Sequence, residues 1–288
     1  MHTDKKGRLA VGSISTKASA PADKKAIWID QRPGIIEEGK IFFFYRPRKG
    51  LPETHDMEKI QRFFIVLMPL SRAAPARLIV VGKKRLPAEG QCFWAAVLAA
   101  APAMDDVLAG LGPKENKGSP AGLIQPACLV GEGIYVLHDA GRSVDMLYEL
   151  EVPEHPQETQ EQLGIYKTGA YAIQIKNPYK SSPSGLGLSN RPDYPPVLQE
   201  AFGWSPGGCN WMPPRNPALL DYVHTQFVLI GPEHGIARKR KSLKELLDDT
   251  SSLSRDVTFG DLRGVKIRPL ASDLDSTNDE DSSDAMLD

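Results

Sequence analysis

Apolar residues in this chain come in short runs, each closed by a proline or a glycine. Ile41-Phe42-Phe43-Phe44-Tyr45 is closed by Pro47, Phe63-Phe64-Ile65-Val66-Leu67-Met68 by Pro69, and Leu78-Ile79-Val80-Val81 by Gly82. Runs this short, and this rich in aromatic and β-branched residues, read as buried strands. The 24 prolines and 25 glycines agree, because they supply turns and irregular connections rather than a helical bundle. With 41% of 288 residues hydrophobic, the chain has enough apolar material for one large core or two small ones.

The same three strands recur further along. Gly133 to Leu137 resembles Gly39 to Phe44, Met146 to Pro153 resembles Phe63 to Pro69, and Tyr171 to Pro178 resembles Leu78 to Pro87. Similarity in three consecutive elements predicts a duplicated three-stranded unit. Between the copies, Phe93, Trp94, Val97 and Leu98 fall at helical spacing; Pro102 interrupts, and Met104, Val107, Leu108 and Leu111 resume it until Gly112. That spacing predicts a helix or a kinked helix pair. A short helix is expected from Gln157 to Leu163, closed by Gly164, and a final strand at Phe227 to Ile230. The connection from Lys180 to Pro217 is long enough for a functional loop or a partly disordered one.

The expected fold class is therefore α+β, predominantly antiparallel β. Residues 1–30 form a disordered N-terminal tail, 31–118 the first β-rich half with its helix, and 119–232 the second half with the final strand. Residues 233–288 carry a basic segment, a short helix at 242–249 and an acidic disordered tail.

Charge is unevenly distributed. The formal net charge is −1, yet Asp273, Asp275, Asp279, Glu280, Asp281, Asp284 and Asp288 fall in the last eighteen residues with no Lys or Arg among them. The remaining body is mildly basic. A basic body with a tethered acidic segment suits a protein that meets polyanions or basic partners, since the segment competes for the same surface; the simpler reading is solubility. Cys92, Cys128 and Cys209 are odd in number and far apart, which fits neither a disulfide framework nor a CxxC metal site and points to a reducing compartment. Residues 1–26 lack the apolar core of a secretion signal, and no apolar run reaches the length of a membrane span, so a cytoplasmic or nuclear protein is expected.

Catalytic patterns are missing. The sequence contains no GxSxG, HExxH, GxxxxGK[ST] or complete GxGxxG; Gly185-Leu186-Gly187 lacks its third glycine and follows no strand. The six histidines show no paired spacing, so no metal site and no cofactor are expected, and no catalytic residue is assigned. His138-Asp139 at a strand end and Cys92 ahead of the expected helix are the nearest approaches to chemistry. Their simpler readings are a polar turn and a packed, inert thiol.

Basic residues gather where strands end: Arg46, Arg48 and Lys49 after the first strand, Lys83, Lys84 and Arg85 after the third, and Lys176 at the matching place in the second half. On related edges, and near Tyr45 and Tyr179, they would form a surface that takes phosphates or stacks bases; the simpler reading is a solvated rim. Arg238-Lys239-Arg240-Lys241 has the size of a nuclear import signal.

The phrases Glu38-Gly39-Lys40-Ile41-Phe42-Phe43-Phe44-Tyr45-Arg46-Pro47, Arg77 to Pro87, Gln160 to Ile165 and Leu219-Leu220-Asp221-Tyr222 carry a resemblance over most of 34–232. The chain resembles an uncharacterised conserved family of fungi and bacteria, whose fungal members often bear the label BTB domain transcription factor. The strand-rich pattern here is unlike the mainly helical BTB fold. A basic Thr-Lys-Thr-Arg-Gly phrase of that family reads Lys114-Glu115-Asn116-Lys117-Gly118-Ser119-Pro120 here, and histidines before the strand at Met146 are replaced by Ser143-Val144-Asp145. The resemblance implies a shared core and no particular ligand.

The expected function is a non-catalytic binding protein whose basic edge meets a nucleic acid, another polyanion or a protein. The alternative is an enzyme or small-ligand carrier with a site at the junction of the two halves, lined by His138, Asp139 or Cys92.

Overall fold

The computed structural model describes residues 34–48, 57–115, 123–181, 190–203 and 210–231. The proposed tails, Lys49, Cys209, the basic run Arg238 to Lys241 and the helix expected at 242–249 lie outside the described residues.

The strands are β1 (Ile35–Pro47), β2 (Ile60–Pro69), β3 (Ala76–Val81), β4 (Cys92–Ala101), β5 (Lys114–Glu115), β6 (Leu123–Ile124), β7 (Cys128–Asp139), β8 (Val144–Val152), β9 (Thr168–Lys176), β10 (Trp211–Met212) and β11 (Gln226–Ile230). The main sheet runs β10-β9-β11-β4-β3-β2-β1-β7-β8, and a further pairing of β9 with β8 closes it on itself. The result is an eight-stranded barrel, antiparallel at every seam, with β10 added beside β9. Closure removes the sheet edges that would otherwise invite pairing with another chain.

Alternation along the strands explains the closure. Ile41, Phe43 and Tyr45 of β1, Phe63, Ile65 and Leu67 of β2, and Tyr135 and Leu137 of β7 share one interior cluster with Tyr148, Tyr171, Ile173 and Phe227. Their neighbours Phe42, Phe44, Phe64 and Val66 face outward and are buried under α1 (Met104–Leu108) and the 3-10 turn that follows it. β1 is thus apolar on both faces, which is why it reads as an unbroken run.

Both ends of the barrel are filled. At the upper end, where β1 finishes, the loop 82–91 meets α2 (Glu158–Gln162) through Leu86 N–H donating to Leu163 O at 2.9 Å, and Leu86, Leu163 and Ile165 extend the core. At the lower end, α3 (Pro196–Gly203) and the turn Pro217–Leu220 insert Leu198, Phe202, Leu219 and Leu220. Tyr194 locks this lower cover, its hydroxyl bonding Leu219 O at 3.0 Å and lying 2.9 Å from the Thr225 hydroxyl.

One expected element is corrected. Residues 92–101, read as helical from Phe93, Trp94, Val97 and Leu98, are strand β4, and only Met104–Leu108 is α-helical. Phe93, Ala95 and Val97 face inward at a period of two, a pattern masked because the alanines look neutral in sequence. Pairing with β3 on one side and β11 on the other outweighs the helix preference of alanine.

Candidate functional site

Register places the basic residues. β1, β2 and β3 are consecutive neighbours: Tyr45 opposes Phe63, which opposes Val81. One step higher, Arg46 opposes Arg62, and Arg48 N–H donates to Lys59 O at 2.7 Å. Beyond Val81 the chain enters Lys83-Lys84-Arg85. Neighbouring strands lie about 4.8 Å apart, so these three strand ends occupy a rim about 10 Å wide. Arg48, Lys59, Arg62, Lys83, Lys84 and Arg85 all reach solvent there, accompanied among the described residues by the carboxylates of Glu58 and Glu89. Lys59 and Arg62 are additions to the basic residues singled out in the sequence, although antiparallel pairing of the first two strands places them beside Arg46 and Arg48.

The loop behind the rim is braced. Gly82 N–H donates to Trp94 O at 2.8 Å, and the Gln91 side chain accepts from Ala88 N–H at 3.0 Å and from Arg85 at 3.3 Å. Lys84 adopts a left-handed backbone at φ 62°, which turns the chain sharply and presents three cations in succession. Across the same end, Glu154, Glu158 and Glu161 are exposed around α2. The upper end therefore has a basic side and an acidic side.

Other expected binding residues sit elsewhere or are occupied. Arg46 is 5% exposed; its guanidinium donates to Gly110 O at 3.0 Å and Gly112 O at 3.3 Å and lies over the Phe64 ring. It closes the carbonyl end of the segment over β1 and β2. Lys176 is at the lower end, 7% exposed, and donates to Lys180 O at 2.6 Å and Asn177 O at 3.2 Å. Burial, and then the charge of Arg191, hold its ammonium below the ordinary lysine pKa. The matching edges anticipated from the repeat are thus at opposite ends of the barrel. Tyr45 is interior, and Tyr179, 54% exposed, is at the lower end, so neither offers a stacking face at the rim.

The residues nearest to chemistry do not converge. His138 and Asp139 end β7 at the lower end, with Asp139 paired to Arg215 at 3.3 Å and accepting from Gly141 N–H at 2.8 Å. Cys92 begins β4 at the upper end, its thiol pKa raised by burial. Among the described residues no group of three or more His, Cys, Asp or Glu side chains is arranged to hold a metal ion, and no helix is long and apolar enough to cross a membrane.

A buried ion cluster lies outside every residue assigned a binding or catalytic reading in the sequence, although Arg77 and Asp221 fall within two of the phrases that carry the resemblance. Arg77, fully buried at the foot of β3, donates from Nη1 and Nη2 to the two Glu37 oxygens at 2.6 and 2.7 Å, and from Nε to Asp221 Oδ1 at 2.7 Å. The Tyr135 hydroxyl donates to Glu37 at 2.7 Å. Burial opposes the Arg77 charge, but the bond and charge of Glu37 outweigh it and raise the guanidinium pKa. Burial pushes the Asp221 carboxyl up even though Arg77 pulls it down. The short contacts on both sides of Arg77 identify a charge-assisted cluster that ties β1, β3, β7 and the lower cover together. One signal of it is present in the sequence: Arg77 shares strand parity with Ile79 and Val81, which marks it as inward.

Comparison with protein-family models, with curated proteins and with solved structures gave no match.

Proposed function

We propose that this protein is a non-catalytic binding protein whose upper rim, from Arg48 through Lys59, Arg62, Lys83 and Lys84 to Arg85, takes the phosphates of a nucleic acid. The observation that carries this reading is the gathering of six cations at three adjacent strand ends, three of them on a loop held by backbone bonds. Since Tyr45 and Tyr179 lie away from the rim, contacts to the phosphate backbone dominate and binding is insensitive to base sequence.

The test is the salt dependence of binding to a labelled single-stranded oligonucleotide. Lys83→Ala, Lys84→Asn and Arg85→Ala together should lower the log–log salt slope by about 2, at ~0.7 per lost phosphate contact. Asn is chosen at 84 because it tolerates the left-handed backbone. An unchanged slope, or no binding by the parent protein at low salt, defeats the reading.

Against the alternative of a ligand carrier or enzyme stand the aromatic filling of the barrel, its closed ends, and the separation of Cys92 from His138 and Asp139. Nuclear residence through Arg238 to Lys241 belongs to the same proposal, and a fluorescent fusion with those four residues changed to alanine checks it.

Duplication is proposed on the parallel between β1-β2-β3-β4 and β7-β8-β9-β11, each a row of successive antiparallel neighbours. Gly39 in β1 and Gly133 in β7 support it. At each, an added Cβ would collide with the neighbouring strand's backbone, at Met68 O and Glu149 O respectively.

A further inference from the structure

The rim of the proposed function has a neighbour that the register reveals. β11 runs upward beside β4, so its last residue, Ile230, lies opposite Cys92 at the rim end of the barrel. Gly231 then donates its N–H to Gln91 O at 2.8 Å, and a Cβ there would strike Ala88 O. Gln91 is the residue whose side chain accepts from Arg85. The chain beyond 231 therefore departs from the very loop that carries Lys83, Lys84 and Arg85.

Beyond Gly231 the charges are ordered along the chain. Arg238-Lys239-Arg240-Lys241 comes first, and seven carboxylates from Asp273 to Asp288 come last, with no Lys or Arg among them. The 42 residues from Gly231 to Asp273 span up to about 140 Å when extended, so reach does not limit a return to a rim beside the departure point. On the opposite side of the upper end, Glu154, Glu158 and Glu161 repel an acidic segment and favour the basic side.

We infer that the acidic segment 273–288 occupies the basic rim intramolecularly and acts as a built-in competitor for the nucleic acid. The inference rests on the rim being the binding surface. Because the competitor is covalently attached, its effect is independent of protein concentration. It weakens with salt, as does binding of the external polyanion. The observed affinity of the full chain is then the rim's own affinity reduced by the fraction of molecules in which the rim is already filled.

Two readouts on the full-length chain test this. In the first, zero-length carbodiimide crosslinking followed by mass spectrometry should join carboxylates of 273–288 to Lys83, Lys84 or Lys59, with the crosslinks lost at high salt. Crosslinks confined to Lys239 and Lys241, or none, overturn the inference. In the second, a labelled 20-nucleotide oligo(dT) is titrated into the parent chain and into a full-length variant with the seven acids changed to Asn or Gln. Affinity should rise about tenfold, and the gain should disappear when Lys83→Ala, Lys84→Asn and Arg85→Ala are added. A gain that survives those rim changes and is abolished by changing Arg238 to Lys241 to Gln places the acids on the basic run and overturns the inference. Rim crosslinks with no oligonucleotide binding by either form would instead refute the nucleic-acid reading while leaving the intramolecular contact established.

Discussion

Arg77 shows how a buried charge is tolerated. Removing a guanidinium from water is costly, and the cost is met only when its partners are close and well aimed; here Glu37 is bidentate and Asp221 completes the fork. Arg77→Met leaves Glu37 as a buried carboxylate with only Tyr135 to satisfy it. Chemical denaturation should show a loss of about 3–5 kcal/mol, and adding Glu37→Gln should recover part of it. A loss below about 1 kcal/mol would mean that water enters the cluster and shields it. His224 makes a second case at this scale. Its backbone is left-handed at φ 71°, its N–H donates to Val97 O at 2.9 Å, and burial lowers its pKa from the usual 6.5. A depressed folded pKa means that the group favours the folded state above the unfolded value, and that this contribution is lost as pH falls through the folded one. The parent chain should therefore lose stability relative to His224→Asn between about pH 7 and pH 5, measured as urea midpoints at each pH. Parallel midpoints for the two proteins across that range would remove His224 from the acid response.

At the scale of elements, glycine sets how closely strands approach. Gly39 faces the β2 backbone at Met68 and Pro69, and Gly133 faces the β8 backbone at Glu149 and Leu150. Alanine at either position forces the two strands apart, and a destabilisation of about 1–3 kcal/mol is expected from denaturant unfolding. Gly82→Ala serves as the control, since its Cβ would meet Trp94 O at an ordinary 3.4 Å. Equal effects at all three positions would show that close approach is not the cause. The strands themselves are legible in the sequence: β1, β2, β3, β7, β8, β9 and β11 all correspond to aromatic or β-branched runs bounded by turns. α2 is legible too, through the left-handed Gly164 that closes it. β4 is hidden because an alanine-rich segment satisfies helical and alternating patterns alike, and only its two neighbours decide between them. The rim shows a similar limit. Lys83 to Arg85 are visible as a cluster, whereas the burial of Arg46 depends on Gly110 and Gly112, more than sixty residues away.

For the whole molecule, closure makes the two β-rich halves interdependent. β1 of the first half completes its pairing with β7 of the second, and β4 completes its own with β11. The aromatic interior is likewise shared: Phe43 packs on Phe63 within its half and on Tyr148 across the divide. Separating the halves leaves β1 and β4 as long unpaired edges and bares Ile41, Phe43 and Phe63 to water, a combination that favours aggregation over a stable half-barrel. Residues 34–115 and 123–231, produced separately, should each lack a cooperative thermal transition. Mixed after denaturation, they should form a 1:1 complex that regains one, because all eight barrel strands are then present and both seams can close. A cooperative, monomeric transition in residues 34–115 alone would show that the first half is an independent folding unit and that the barrel is an association of two domains. A cooperative dimer of that half would instead mean that a second copy can stand in for residues 123–231, the outcome expected of two halves descended from one ancestral unit.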